Sequence, residues 1–112
     1  MDLYFQDSKL EKLIRDERKC KKELGERRTT ILLKRLASLS LAENLEETIN
    51  LPGHFHPLHS DRTGQWACDL DQPYRLVFEP HEKPIPTDEK GNYRWIEVKA
   101  VEIDEIVNYH GK

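Results

Sequence analysis

The sequence predicts a small α+β sandwich, with an N-terminal strand and a helical hairpin packed on one face of a mostly antiparallel sheet. Three observations predict it. Apolar residues recur at helical spacing up to about residue 39, the pattern changes to period-two alternation after Gly53, and Gly or Pro punctuates the joins. A chain of 112 residues has room for one modest core, so residues 1–112 read as a single domain.

Residues 1–7 read as a short strand, with Leu3 and Phe5 inward and Tyr4 outward. The same letters resemble a protease-cleavage linker, but they run without a spacer into a well-formed helix start. In that start, Ser8-Lys9-Leu10-Glu11, Ser8 is expected to cap and Glu11 to reach back. Leu10, Leu13, Ile14, Cys20 and Leu24 share one stripe of a helix that Gly25 ends. A second helix from near Glu26 would bury Leu32, Leu33, Leu36 and Leu39 and carry Arg27, Arg28, Lys34 and Arg35 on its other face. The short join makes the two an antiparallel hairpin. Residues 40–53 give a short helical segment closed by the Asn50-Leu51-Pro52-Gly53 turn.

Strands follow. Residues 54–59 are a short extended piece, and residues 64–70 alternate with Trp66, Cys68 and Leu70 on one side. Residues 73–80 set Tyr74, Leu76 and Phe78 against Arg75, Val77 and Glu79, and Asp71-Gln72-Pro73 joins the two runs as a tight hairpin. Three prolines, a glycine and many charges make residues 80–93 a long mobile loop. Residues 95–110 close the chain as a strand that bends near Ala100, where the alternation slips phase. The helices cover one face of this sheet, which leaves the other as a concave surface able to bind.

Net charge is −3, unevenly spread. Residues 9–36 hold eleven Lys or Arg against five Asp or Glu, whereas residues 37–112 hold seven against fourteen. A basic segment on an acidic body can face a polyanion, although helical Lys and Arg also serve to solvate an exposed face. No apolar run approaches bilayer-spanning length and no signal-peptide pattern opens the sequence, so a cytoplasmic protein away from membranes is expected. Cys20 and Cys68 are the two cysteines, and they read as a pair of buried thiols or as one disulfide.

Three groups of side chains converge if consecutive strands pair. They are His54, His56 and His59; Arg62 and Arg75; and the terminal Tyr109 and His110. His54 and His56 at i, i+2, with His110, could ligate a metal, but no carboxylate or cysteine stands at a convincing ligand spacing. Alternatively, the set suits metal-free phosphodiester cleavage. RNA carries its own nucleophile in the 2′-hydroxyl. A protein must remove that proton, neutralise charge growing on the phosphate and protonate the departing oxygen. Histidine suits the proton transfers, and the guanidinium fork of arginine suits the phosphate. A structural alternative has Arg62 capping a turn, Arg75 paired with Glu79 or an Asp, and the histidines solvated.

His56-Pro57-Leu58, Asp61-Arg62-Thr63-Gly64-Gln65-Trp66, Tyr74-Arg75-Leu76-Val77-Phe78 and Asn108-Tyr109-His110 together resemble the HigB-like "killer protein" branch of the RelE/ParE toxin superfamily. With the opening strand and the helices, the resemblance covers nearly the whole chain. It implies the toxin of a type II toxin–antitoxin system, a ribosome-dependent mRNA endonuclease (mRNA interferase) that needs no cofactor and is restrained by a HigA-type helix-turn-helix antitoxin. It further implies that His56 and His110 transfer protons, that Arg75 holds the scissile phosphate, and that Tyr109 assists or orients the RNA. His59, Arg62 and Asn108 are then expected to bind RNA. The basic helices, with Arg28 and Arg35, would face ribosomal RNA, and Trp66 and Phe78 belong to the core. Two positions depart from the family pattern: Asn108 replaces an Asp, and His59 stands where a Lys is common. They imply a weaker or narrower nuclease. Relatives of the same fold that inhibit DNA gyrase, and a decayed module that only binds, are the alternatives.

Overall fold

The computed structural model describes residues 1–108 and forms the α+β sandwich that the sequence predicts. Strand β1 (Asp2–Phe5) leads into helices α1 (Ser8–Arg15), α2 (Glu17–Leu24) and α3 (Glu26–Leu41). Strands β2 (His56–Pro57), β3 (Trp66–Asp69), β4 (Tyr74–Pro80) and β5 (Ala100–Asn108) complete one five-stranded sheet in the order β1-β5-β4-β3-β2. β1 runs parallel to β5 and every other pairing is antiparallel. No helix of the described residues is long and apolar enough to cross a membrane.

The core lies between the helices and one sheet face. Ile14, Cys20, Leu32, Leu36 and Leu39 come from the helices, and Trp66, Cys68, Leu76, Phe78, Val101 and Ile103 from the strands. The alternation expected in β3 and β4 supplies that face, because successive strand side chains point to opposite sides. Trp66 and Phe78 are fully buried there, as their assignment to the core requires. Cys20 and Cys68 are free buried thiols rather than a disulfide, and burial pushes the Cys68 thiol up to about 12.

Local chemistry altered the expected boundaries. The cap of α1 is Asp7, whose carboxylate accepts from the Lys9 amide at 2.7 Å, while Glu11 pairs with Arg15 instead of closing a box with Ser8. Residues 8–24 are two helices, not one. Asp16 takes an extended conformation that ends α1, then caps α2 by accepting from the Lys19 amide. A short carboxylate that can bond nearby main-chain amides favours caps over helix interiors. A 3₁₀ turn over Glu46–Asn50 supplies the expected short helical segment.

The last strand begins at Ala100, later than expected, because Trp95–Glu97 forms a 3₁₀ turn. The bend lies further along as well. Phe78 faces Ile103 while Val77 faces Glu105, so Asp104 is an extra residue, a β-bulge in β5. The proline-rich stretch before it, expected to be a long mobile loop, carries contacts of its own. Thr87 bridges Tyr93, Asp88 accepts from the amides of Lys90 and Asn92, and Tyr93 packs on Trp95 with ring centroids 4.9 Å apart.

Two of the basic side chains expected to face RNA are held in the fold. The Arg28 guanidinium donates to both carboxylate oxygens of Asp71 at 2.8 and 3.2 Å and lies 3.4 Å over the Tyr74 ring. That contact raises the Arg28 pKa and lowers that of Asp71. Arg35 donates through Nε to the Asp69 carbonyl at 2.7 Å and passes so close to Gly53 that a Cβ there would meet it at 2.5 Å. Gly53 also has φ +114, so both backbone conformation and space demand glycine. Arg27 and Lys34 remain exposed.

Candidate active site

The register of the sheet assembles the site. His56 pairs with Ala67, Ala67 with Val77, and Val77 with Glu105, which forms one row across four strands. Two residues along, Asp69 pairs with Arg75 and Arg75 with Val107. Residues directly opposite share a face. His56 and Arg75 therefore stand on the side away from the helices, with Ala67 and Val77 between them and Val107 beyond Arg75 on β5.

This face is not a bare concave sheet. Ala67 and Val77 are buried although no helix covers them, because residues 57–65 fold back over the strands. Polar ties hold that segment down. Arg62 donates to Gln65 Oε1 and to Glu105 Oε2, each at 3.1 Å, and Gln65 Nε2 donates to Asp104 Oδ2 at 2.9 Å. Between the segment and the strands lies a cleft of about 480 Å³, lined by His56, His59, Asp61, Arg62, Arg75 and Asn108 over the apolar floor of Val77 and Val107.

Five side chains singled out in the sequence thus meet in one cleft: His56, His59, Arg62, Arg75 and Asn108. Arg28 and Arg35 lie in the helix layer instead. Tyr109 and His110 fall outside the described residues.

His56 is held in a defined state. Its Nδ1 is 2.7 Å from the His54 carbonyl oxygen. A carbonyl can only accept, so Nδ1 carries the proton and Nε2 keeps its lone pair in the neutral ring. The His54 ring stacks on that of His56, with centroids 4.0 Å apart and planes 17° from parallel. Imidazole lone pairs lie in the ring plane, so near-parallel stacked rings do not aim two nitrogens at one ion. The metal reading of His54 and His56 lacks its geometry. Among the described residues, the group that brings three metal-capable side chains together is Glu79, Glu102 and Asp104, with oxygens within 4.8 Å of one another.

Arg75 is mostly buried, and its Nε lies 3.7 Å from Asp69 Oδ1. Asp69 was not among the expected site residues, yet a sequence signal existed: Asp69 and Arg75 are each three residues from Gln72 at the hairpin tip, so a symmetric hairpin pairs them. Backbone strain marks the same region. His54 (φ 56) and Ser60 (φ 60) are the non-glycine residues of positive φ among those described, and they flank β2 and the start of the covering turn. The cleft can hold an anion against arginine and accept a proton at an imidazole beside it. Comparison of the chain with protein-family models, with curated proteins and with solved structures finds no match in any of the three.

Proposed function

We propose that the chain is a metal-independent endoribonuclease, the toxin of a type II toxin–antitoxin system of the HigB-like kind, which cuts mRNA on the ribosome and stops translation. The observation that carries this reading is the meeting of His56, His59, Arg62 and Arg75 in one cleft of a chain whose net charge is −3. A groove that gathers histidine and arginine on an acidic body suits a phosphodiester, because local potential outweighs the sum of charges.

In this mechanism Nε2 of His56 takes the 2′-hydroxyl proton as that oxygen attacks the adjacent phosphorus. Arg75 neutralises charge growing on the phosphoryl oxygens. His110, with Tyr109, is assigned the protonation of the departing 5′-oxygen, an assignment that rests on the sequence resemblance. The products are a 2′,3′-cyclic phosphate and a free 5′-hydroxyl. A HigA-type helix-turn-helix antitoxin is the proposed restraining partner.

Inducible expression with mapping of mRNA 5′ ends tests the reading. New 5′-hydroxyl ends, absent with His56→Ala and with His110→Ala, are expected. Growth arrest without new ends, accompanied by loss of DNA supercoiling, would replace the nuclease with the gyrase-inhibiting alternative.

A further inference from the structure

Neither Asp69 nor His54 lines the cleft, yet both touch the side chains that do. Asp69 is anchored through its main chain on two sides. Its amide donates to the Gly53 carbonyl at 2.7 Å, and its own carbonyl accepts from Arg35 Nε at 2.7 Å. The backbone is thus fixed, and the side chain itself is three-quarters buried. Oδ1 is buried, has no hydrogen-bond partner among the described residues, and lies 3.7 Å from Arg75 Nε. Oδ2 lies 3.6 Å from Nδ1 of His54.

His54 transmits this hold to His56 in two ways. Its ring stacks on the His56 ring, and its carbonyl oxygen accepts the hydrogen bond that His56 Nδ1 donates. The conformation that allows both is left-handed, which an L-residue adopts at a cost that glycine would avoid. A side chain is kept where glycine fits the backbone better, and that side chain reaches both Asp69 and His56.

We propose that Asp69 is the positioning residue of the cleft, holding the His54–His56 ring pair with one carboxylate oxygen and the Arg75 guanidinium with the other. One carboxylate thereby fixes the separation of the proton acceptor from the phosphate-holding cation. A shift of about 1 Å between such groups costs on the order of 100-fold in rate. The kinetic side of this inference rests on the cleavage reading, and the ring geometry does not.

Asp69→Asn tests it, because the amide keeps the shape and removes the charge. Heteronuclear NMR of the wild-type chain should show His56 protonated at Nδ1, with ring protons of both histidines shifted upfield by stacking. In Asp69→Asn the upfield shifts should collapse while the far-ultraviolet circular dichroism stays unchanged. The kcat for transcript cleavage should fall by about 10-fold to 100-fold with little change in KM. If Asp69→Asn proves unfolded, His54→Ala, which leaves β3 intact, should give the same fall in kcat and the same loss of the upfield shift at His56. Unchanged ring shifts and unchanged kcat in a folded variant would overturn the proposal. Should the wild-type chain cut no RNA, the cleavage reading falls, and the ring shifts alone still decide whether Asp69 holds the pair.

Discussion

Along β4 the side chains facing away from the helices read Arg75, Val77 and Glu79, so the surface changes sign over about 13 Å of strand. At one end, Arg75 joins His56, His59 and Arg62 around the cleft. At the other, Glu79 pairs across the sheet with Glu102 and both crowd Asp104. The cationic end is assembled by register from separate strands. The anionic end is relieved at its edges, where Lys83 approaches Glu79 and His81 approaches Glu102, each at 3.0 Å. Burial first, and then the neighbouring Glu79 and Glu102, push the Asp104 carboxyl up to about 7, against the bond from Gln65 that favours its charge. A net charge of −3 says little about either end. The two ends should therefore fail differently when altered, the first in chemistry and the second in stability.

The largest effect is expected at the cationic end. His56→Ala should lower transcript cleavage by about 10²-fold to 10⁴-fold, the usual range for a lost general base, with a melting temperature close to wild type. Arg75→Ala should cost on the order of 100-fold, with Arg75→Lys restoring part of it, since an ammonium keeps the charge and loses the fork. A fall in melting temperature matching the fall in rate would assign both residues to structure and erase the contrast.

The helix layer gives an intermediate case. Arg28→Ala strands the Asp71 carboxylate and removes a guanidinium from the Tyr74 ring, which should cost about 1–3 kcal/mol of stability in denaturant titration. Cleavage at low temperature, where the variant stays folded, should be near wild type. A large loss of activity there would return Arg28 to the RNA-facing surface.

The smallest effect is expected at the anionic end, and its sign depends on pH. The Asp104 carboxyl binds its proton more tightly in the folded chain, about 7 against 3.8, so its contribution to stability is full below pH 3.8 and is lost as pH rises through about 7. Asp104→Asn, whose amide stands in for the protonated carboxyl, should raise the melting temperature by about 5 °C at pH 8.5 and by little at pH 4. An equal change at both pH values would show that the carboxylates do not repel one another in the folded chain.

Much of this was legible in the sequence, for reasons that particular residues make plain. Alternation in β3 and β4 placed Trp66, Cys68, Leu76 and Phe78 in the core, because a period of two leaves no choice of face. The same rule put Arg75 on the opposite side, where the cleft formed. Helix spacing identified Leu32, Leu36 and Leu39 but did not show that Asp16 would cap a new helix, since capping competes with helix continuation at the level of one side chain. Arg28 and Arg35 looked like surface cations because their partners, Asp71 and the Asp69 carbonyl, lie 43 and 34 residues away. The folding of residues 57–65 over Ala67 and Val77 was likewise hidden, being fixed by the ties of Arg62 and Gln65 to Glu105 and Asp104 on a distant strand. The bulge at Asp104 left a trace as a phase slip, displaced by four residues from where it was expected.

The most direct measurement uses a transcript carrying a single 2′-deoxy nucleotide at the site cut by the wild-type chain on translating ribosomes. Cleavage of the all-ribose transcript to a 2′,3′-cyclic phosphate is expected, with none at the deoxy position. Cleavage of the deoxy transcript at an equal rate would remove the 2′-hydroxyl from the chemistry, and with it the role given to His56.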